Sequence, residues 1–262
     1  MVSKIIKQIF HWTPTWGAWL PVQFFGILAI YNILTGSTSP YWWIYTIIGY
    51  FLFSVIGISI GYHRYLSHKS FKTRKIYQRI MLWCGVMAAQ GTPIFWAIIH
   101  RGYHHKHTDT DLDPHSPRHG FWHSYLGWLF KIRPVMNTKY VLDLMKNQDV
   151  FFAHKNYFTI LWISNILLLT INVDLWLYGV MLPCFLSFHA YATNTSINHC
   201  KALGYQRYKL NNDSTNVIVL WPLLFGDAWH NNHHNRAADP NFGKSTWELD
   251  PAFWIIKLIR SD

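Results

Sequence analysis

IHRGYHHKHTDTDLDPHSP, residues 99–117, carries five histidines (His100, His104, His105, His107 and His115) and three aspartates, Asp109, Asp111 and Asp113. It follows directly on an apolar run from Ile80 to Ile99. Neutral imidazole is the commonest metal ligand, and a soluble core has no use for so many in one place. The stretch reads as the middle third of a histidine-built metal centre held against a membrane.

The chain on either side supports a membrane. Charged residues are 13% of the 262, about half the usual share, and aromatics are 18%. A mean hydropathy of +0.06 says that much of the chain also meets water. The net charge of +11 is unevenly spread: every Lys and Arg lies in three blocks, Lys4–Lys7, Arg64–Lys155 and Lys201–Arg260. Two long stretches without Lys or Arg separate them, the pattern of the positive-inside rule. Topology therefore explains the basic balance better than nucleic acid does, and no nucleic-acid partner is expected. The three cysteines, Cys84, Cys184 and Cys200, make no disulfide framework and fit a reducing compartment.

From Gln8 to His63 no side chain is ionised, length enough for two spans of about 20 residues. The first is expected over 16–34 and the second over 41–61, joined by the turn GSTSP at 36–40. Residues 157–171 and 175–191 form a second hairpin around Asn172–Asp174. The run 80–99, basic on both flanks and interrupted by Gly85, Gly91 and Pro93, reads as an interfacial helix or one that dips in and returns. The N-terminus, MVSKIIKQIFHWTPTW, has no cleavage site of small residues and reads as a short interfacial helix. After Asn194 the chain is expected to stay on the basic side to its end. The fold class is then an all-α membrane protein, one domain over 1–262. Four transmembrane helices in two hairpins carry a cytosolic helical cap, and both termini are cytoplasmic.

Of 16 histidines, nine fall in four clusters: His63 and His68; His100, His104 and His105; His199; and His230, His233 and His234. The topology puts all of them on one face of the membrane. His100 with His104, and His230 with His233, are spaced to share a helix face. The doublets His104–His105 and His233–His234 splay by about 100° and let one helix reach two metals. His63 and His68, five apart, need a helix end or i→i+5 winding. Ionisable groups at a membrane are costly and usually functional. All-nitrogen sites suit Zn, Cu, Fe or Ni. Nine ligands are too many for one ion and about right for two, whereas a structural zinc takes four. Two redox-active irons that activate oxygen would explain both the count and the place. Asp109, Asp111 and Asp113 are spaced to accept hydrogen bonds from ligand imidazoles, or to order the loop as Asx turns.

HRYLSHKSFKT, QGTPIFW, HRGYHHKHTDTDLDPHSP, GFWHSYLGW and GDAWHNNHH resemble, in order, the integral-membrane acyl desaturases of the stearoyl-CoA desaturase and bacterial acyl-lipid delta-9 type. The resemblance runs from about Gly57 to the C-terminus. It implies four transmembrane helices under a cytosolic cap and a di-iron centre (Fe2+/Fe3+). It also implies insertion of a cis double bond, at the ninth carbon, into a saturated acyl chain with O2 and two electrons. The substrate would be an acyl-CoA or acyl-lipid. No flavin, dinucleotide or haem motif is present, so electrons would come from a separate donor such as cytochrome b5 or ferredoxin. By position, the nine clustered histidines would be the iron ligands, Gln90 and Trp96 would line the bend of the acyl tunnel, and Tyr191 would be a substrate-binding aromatic above the site. The family's asparagine that holds a metal-bound water is replaced by Thr195. Asn194 or Asn198 would serve instead. The second box has one residue more than usual, with Arg101, Gly102 and Tyr103 before the doublet. Overexpression can load zinc into such a site. The rival readings are a membrane di-iron hydroxylase of alkane, sterol or carotenoid type, and a histidine-rich membrane zinc carrier or sensor.

Overall fold

The architecture follows from a computed structural model that describes residues 15–131 and 137–262. Helices dominate, and among the described residues there are no strands, only three isolated bridges. The helix expected at the N-terminus lies outside the described residues.

Three helices are long and apolar enough to cross a membrane: α1 (Gly17–Leu34), α2 (Trp42–Ser67) and, later, Val173–Ile197. Gly36, at φ +71°, makes the turn between α1 and α2. This is a left-handed conformation that costs glycine little. α2 does not stop at Gly61, as hydropathy alone predicts. It continues to Ser67, wound i→i+5 over Phe51–Ser67, because Ser59, Arg64 and Ser67 find buried partners there.

α3 (Lys75–Met87) runs back along α2. Gly57 and Gly85 permit the approach: a Cβ on Gly57 would lie 2.6 Å from the Cys84 backbone, and one on Gly85 would lie 2.2 Å from the Tyr62 ring. The run 80–99 is therefore not one helix. It breaks at residues 88–92, where Ala89 and Gly91 take positive φ (58° and 101°). Thr92 then caps a new helix by accepting a hydrogen bond from Phe95 N–H. This helix, α4 (residues 93–107), returns beside α2, with Trp96 against Tyr62 and Arg101 over the last carbonyls of α2. Its middle, Ile98–His104, is again wound i→i+5.

α5 (Tyr157–Ile171) is apolar but only 15 residues long. Asn172 caps α6 (Val173–Ile197), accepting from Leu175 N–H at 2.8 Å. α6 packs tightly on α2, where a Cβ at Gly49 would meet the Gly179 carbonyl at 2.1 Å. Thr46 Oγ1 donates to Tyr178 O beside that contact. Small residues let membrane helices approach in this way. The short helices that follow include α7 (His230–Asn235) and α8 (Pro251–Ile259).

Candidate metal centre

Four pieces of chain converge above the ends of α2 and α6. The end of α2 brings His63 and His68, α4 brings His100, His104 and His105, the turn after α6 brings His199, and α7 brings His230, His233 and His234. Arg101 ties two of these pieces together. Its guanidinium donates to the carbonyls of Leu66, Ser67 and Tyr140 and pairs with Asp143 at 2.9 Å. Those carbonyls would otherwise be orphaned at a helix end.

The nine predicted histidines fall into two groups, either of which could hold a metal ion: His63, His68, His100, His105 and His233; and His104, His199, His230 and His234. Each doublet is split between the groups. The face-sharing partners differ from the simple α-helical expectation. His100 groups with His105 rather than His104, because i→i+5 winding brings the fifth residue over the first. His230 groups with His234 rather than His233. His63 and His68 stand together, with His68 N–H bonded to His63 O at 3.1 Å.

Within the groups the Nε2 atoms face one another. His63–His233 are 3.0 Å apart, His68–His100 and His105–His233 2.8 Å, His199–His230 and His230–His234 3.0 Å. Imidazole nitrogens bound at about 2.1 Å and at right angles around one ion lie about 3.0 Å apart. Hydrogen bonds between the rings do not account for this, since the His233 and His230 Nε2 atoms each meet two others and one proton serves one pair. The donor set fits two cations. Burial, and after it the neighbouring imidazoles, push His100, His105, His230, His233 and His234 well below the ordinary histidine range, so each ring stays neutral with a lone pair to give.

Carboxylates hold the other ring nitrogen of two of these histidines. His104 Nδ1 donates to Asp113 Oδ2 at 3.0 Å, and His199 Nδ1 donates to Asp109 Oδ2 at 3.1 Å. Each bond fixes the tautomer that leaves Nε2 free. Burial alone would raise both carboxyls; contacts to His199 for Asp109, and to His104 and His115 for Asp113, outweigh it and hold them below the usual range. The same aspartates order the loop: Asp113 also accepts from Asp109 N–H, and Asp109 from Asp213 N–H. His104, Asp113 and His115 form a third metal-capable cluster. Because Asp113 meets His104 at Nδ1, it acts there as an orienting partner.

The fatty acid desaturase family profile matches residues 37–259. The chain belongs to the fatty acid desaturase family. An sn-2 palmitoyl-lipid 9-desaturase of Nostoc sp. (strain 36) is 36% identical over 93% of this chain and 87% of its own length. An acyl-CoA 5-desaturase of Anemone leveillei is 33% identical over 89% and 73%. Delta-9 acyl-lipid desaturase 1 of Arabidopsis thaliana is 32% identical over 91% and 77%. The protein is thus an oxidoreductase of lipid metabolism, and its long apolar helices make it a membrane protein.

In this desaturase one of the expected acyl-chain residues, Trp96, borders the histidines. The Trp96 ring lies 4.8 Å from His100 and 5.8 Å from His63. Gln90, in the break between α3 and α4, donates to Ser187 Oγ on α6 at 3.0 Å. Tyr191, one turn further along α6, donates to Asp227 Oδ2 at 2.8 Å. Asn194 and Asn198 are buried and bonded to each other, and Asn198 Oδ1 has no partner. Asp111 is the correction. Its carboxylate is almost fully exposed and lies 3.6 Å from His119, because the turn that buries its neighbours on either side points it outward. Sequence reasoning missed Asp227, which is fully buried. It sits 3.6 Å from His63 Nδ1 and pairs with Arg64 at 3.1 Å, while Arg64 also pairs with Asp250. The available signal was an acid three residues before His230 in an otherwise uncharged run.

Proposed function

We propose that this desaturase inserts a cis double bond at the ninth carbon of a saturated acyl chain, using O2 and two electrons from a separate protein donor. The observation that carries the reading is the pair of histidine groups, five and four, in a chain that matches this family. Relatives named 9-desaturase and delta-9 acyl-lipid desaturase support the position.

His63, His68, His100, His105 and His233 would hold one iron, and His104, His199, His230 and His234 the other. Bound there, iron supplies the oxygen chemistry needed to break two unactivated C–H bonds. The chain's own residues set where that happens. Trp96 and Tyr62 wall the site beside His63 and His100. Gln90 and Ser187, bonded at the break between α3 and α4, would close the bend of an apolar channel. Tyr191, one turn along α6 from Ser187 and held by Asp227, would sit above the site. Asn194, or Asn198 whose buried Oδ1 has no protein partner, would accept from a metal-bound water. Keeping bulk water out strengthens every electrostatic interaction inside.

The membrane arrangement belongs to the same proposal. α5, though short, would be the fourth span. The histidines, the cap and both termini would face the cytoplasm, as the basic blocks require. Expression in a desaturase-deficient host tests the function: cis-9 monounsaturated acyl chains should appear in its lipids. Hydroxylated chains without new double bonds would overturn the reading.

A further inference from the structure

The charge pattern places everything after α6 in water, yet one part of that region packs deep against α2. Residues 215–226, TNVIVLWPLLFG, carry no charge. An apolar run of this length is too short to span and long enough to enter the membrane and return. Tyr50 on α2 marks its depth. The Tyr50 hydroxyl donates to Leu223 O at 2.6 Å, and its ring lies 6.3 Å from that of Phe225. Tyr50 lies thirteen residues before His63 along α2.

Inward-facing and outward-facing residues of the segment differ. Val217, Leu220 and Leu224 are buried and pack with Ala190 and Ala228. Ile218, Val219 and Leu223 are exposed, Val219 to 79%. α8 repeats the pattern. Ala252 and Ile256 pack against Val55, Ile60 and Met81, while Trp254 and Leu258 (83% exposed) point out. Leu249 bridges the two pieces, its carbonyl accepting from Trp221 Nε1 at 2.6 Å. The segment meets α2 at Tyr50, and around Tyr50 the α2 residues Ile47, Ile48 and Phe51 are also exposed. Lipid is the occupant that this placement selects, since exposed apolar residues of the segment lie beside exposed apolar residues of a spanning helix, joined through Tyr50.

We infer that residues 217–225 and α8 re-enter the bilayer beside α2 and form a lipid-embedded clamp on the C-terminal half. Backbone polarity does not prevent entry. Phe225 N–H bonds to Trp221 O, Leu220 N–H bonds to Val217 O, and Tyr50 serves Leu223 O. Past Gly226 and Asp227 the chain leads directly to His230, so the clamp sets the height of α7 against α2.

The inference rests on α2 crossing the membrane, and the experiment separates the two. Nitroxide labels are placed at Val219→Cys and Leu258→Cys, whose side chains face outward, at Ile47→Cys on α2, and at Asn212→Cys outside the clamp. The unsubstituted protein is labelled in parallel to set the background from Cys200. In nanodiscs holding one chain each, collision with O2 reports lipid and collision with a water-soluble nickel chelate reports water. Labels at 219, 258 and 47 should all favour O2, and the label at 212 should favour nickel. Nickel access at 219 and 258 with O2 preference at 47 would overturn the clamp alone. Nickel access at 47 as well would overturn the spanning reading of α2. Shielding from both probes at 219 and 258 would mean that protein covers the patch, which also overturns the inference.

Discussion

Replacing Asp113 by asparagine changes one carboxylate oxygen and should disable one metal position while sparing the other. Asp113 accepts from His104 Nδ1 at 3.0 Å and lies 3.5 Å from His115 Nδ1. An amide turned toward His104 donates instead of accepting, so the ring keeps its proton on Nε2, the nitrogen that faces His234 at 3.2 Å. That nitrogen then has no lone pair to give. Loss of such an orienting partner lowers metal affinity or activity about 10- to 100-fold, equivalent to roughly 1.4–2.7 kcal/mol. Only the group containing His104 should suffer, because the imidazoles that Asp113 meets, those of His104 and His115, lie outside the group of His63, His68, His100, His105 and His233. Iron per chain, measured on purified protein after growth in iron-rich medium, should fall from two toward one. Desaturation should drop at least tenfold, with membrane insertion and thermal unfolding little changed. Two irons per chain with activity within twofold of the parent would refute the tautomer argument.

Three further outcomes follow from the geometry. His233→Ala and His234→Ala, neighbours that serve different groups, should each abolish desaturation while leaving insertion intact; activity retained in either removes that residue from its group. Gly49→Ala drives a methyl against the Gly179 carbonyl and should destabilise the α2–α6 contact by about 1–3 kcal/mol, read by unfolding in mixed micelles; an unchanged midpoint contradicts the close approach. Glu248 accepts from Tyr205, Arg207, Asn232 and two backbone N–H groups, and although burial alone would raise it, these bonds hold it below its ordinary value of 4.5. Its contribution to stability is therefore complete above that value and disappears as pH falls through the lower native one, so Glu248→Gln should show a shallower acid limb in unfolding curves, and identical limbs would count against it.

The site was easier to read in the sequence than the path of the chain. That all nine histidines come together was legible, because clustered imidazoles beside apolar helices have few other uses. Their partition between the two groups was partly hidden. Regular α-helical spacing pairs His100 with His104 and His230 with His233, whereas the structure puts the members of each pair in different groups. In α4 the reason is i→i+5 winding, which also absorbs the extra residue among Arg101, Gly102 and Tyr103. That winding depends on tertiary partners and leaves no local signature. Asp109 and Asp113 were legible as imidazole partners, but Asp111 alternates with them and points outward, a difference that only the turn geometry sets. Asp227 was missed because its partners, His63, Arg64 and Tyr191, lie far away in the sequence. Hydropathy found the three helices long enough to span and a shorter apolar fourth at Tyr157–Ile171, but ended α2 early, since polar residues that pair inside the protein look like residues bound for water.

The central claim is that two histidine groups hold two irons at the end of α2. Anomalous diffraction at the iron edge, from crystals of protein grown in iron-rich medium and active in desaturation, tests it most directly. Two peaks are predicted, one among the Nε2 atoms of His63, His68, His100, His105 and His233, the other among those of His104, His199, His230 and His234. A single peak, or iron at His104, Asp113 and His115 instead, would contradict the account.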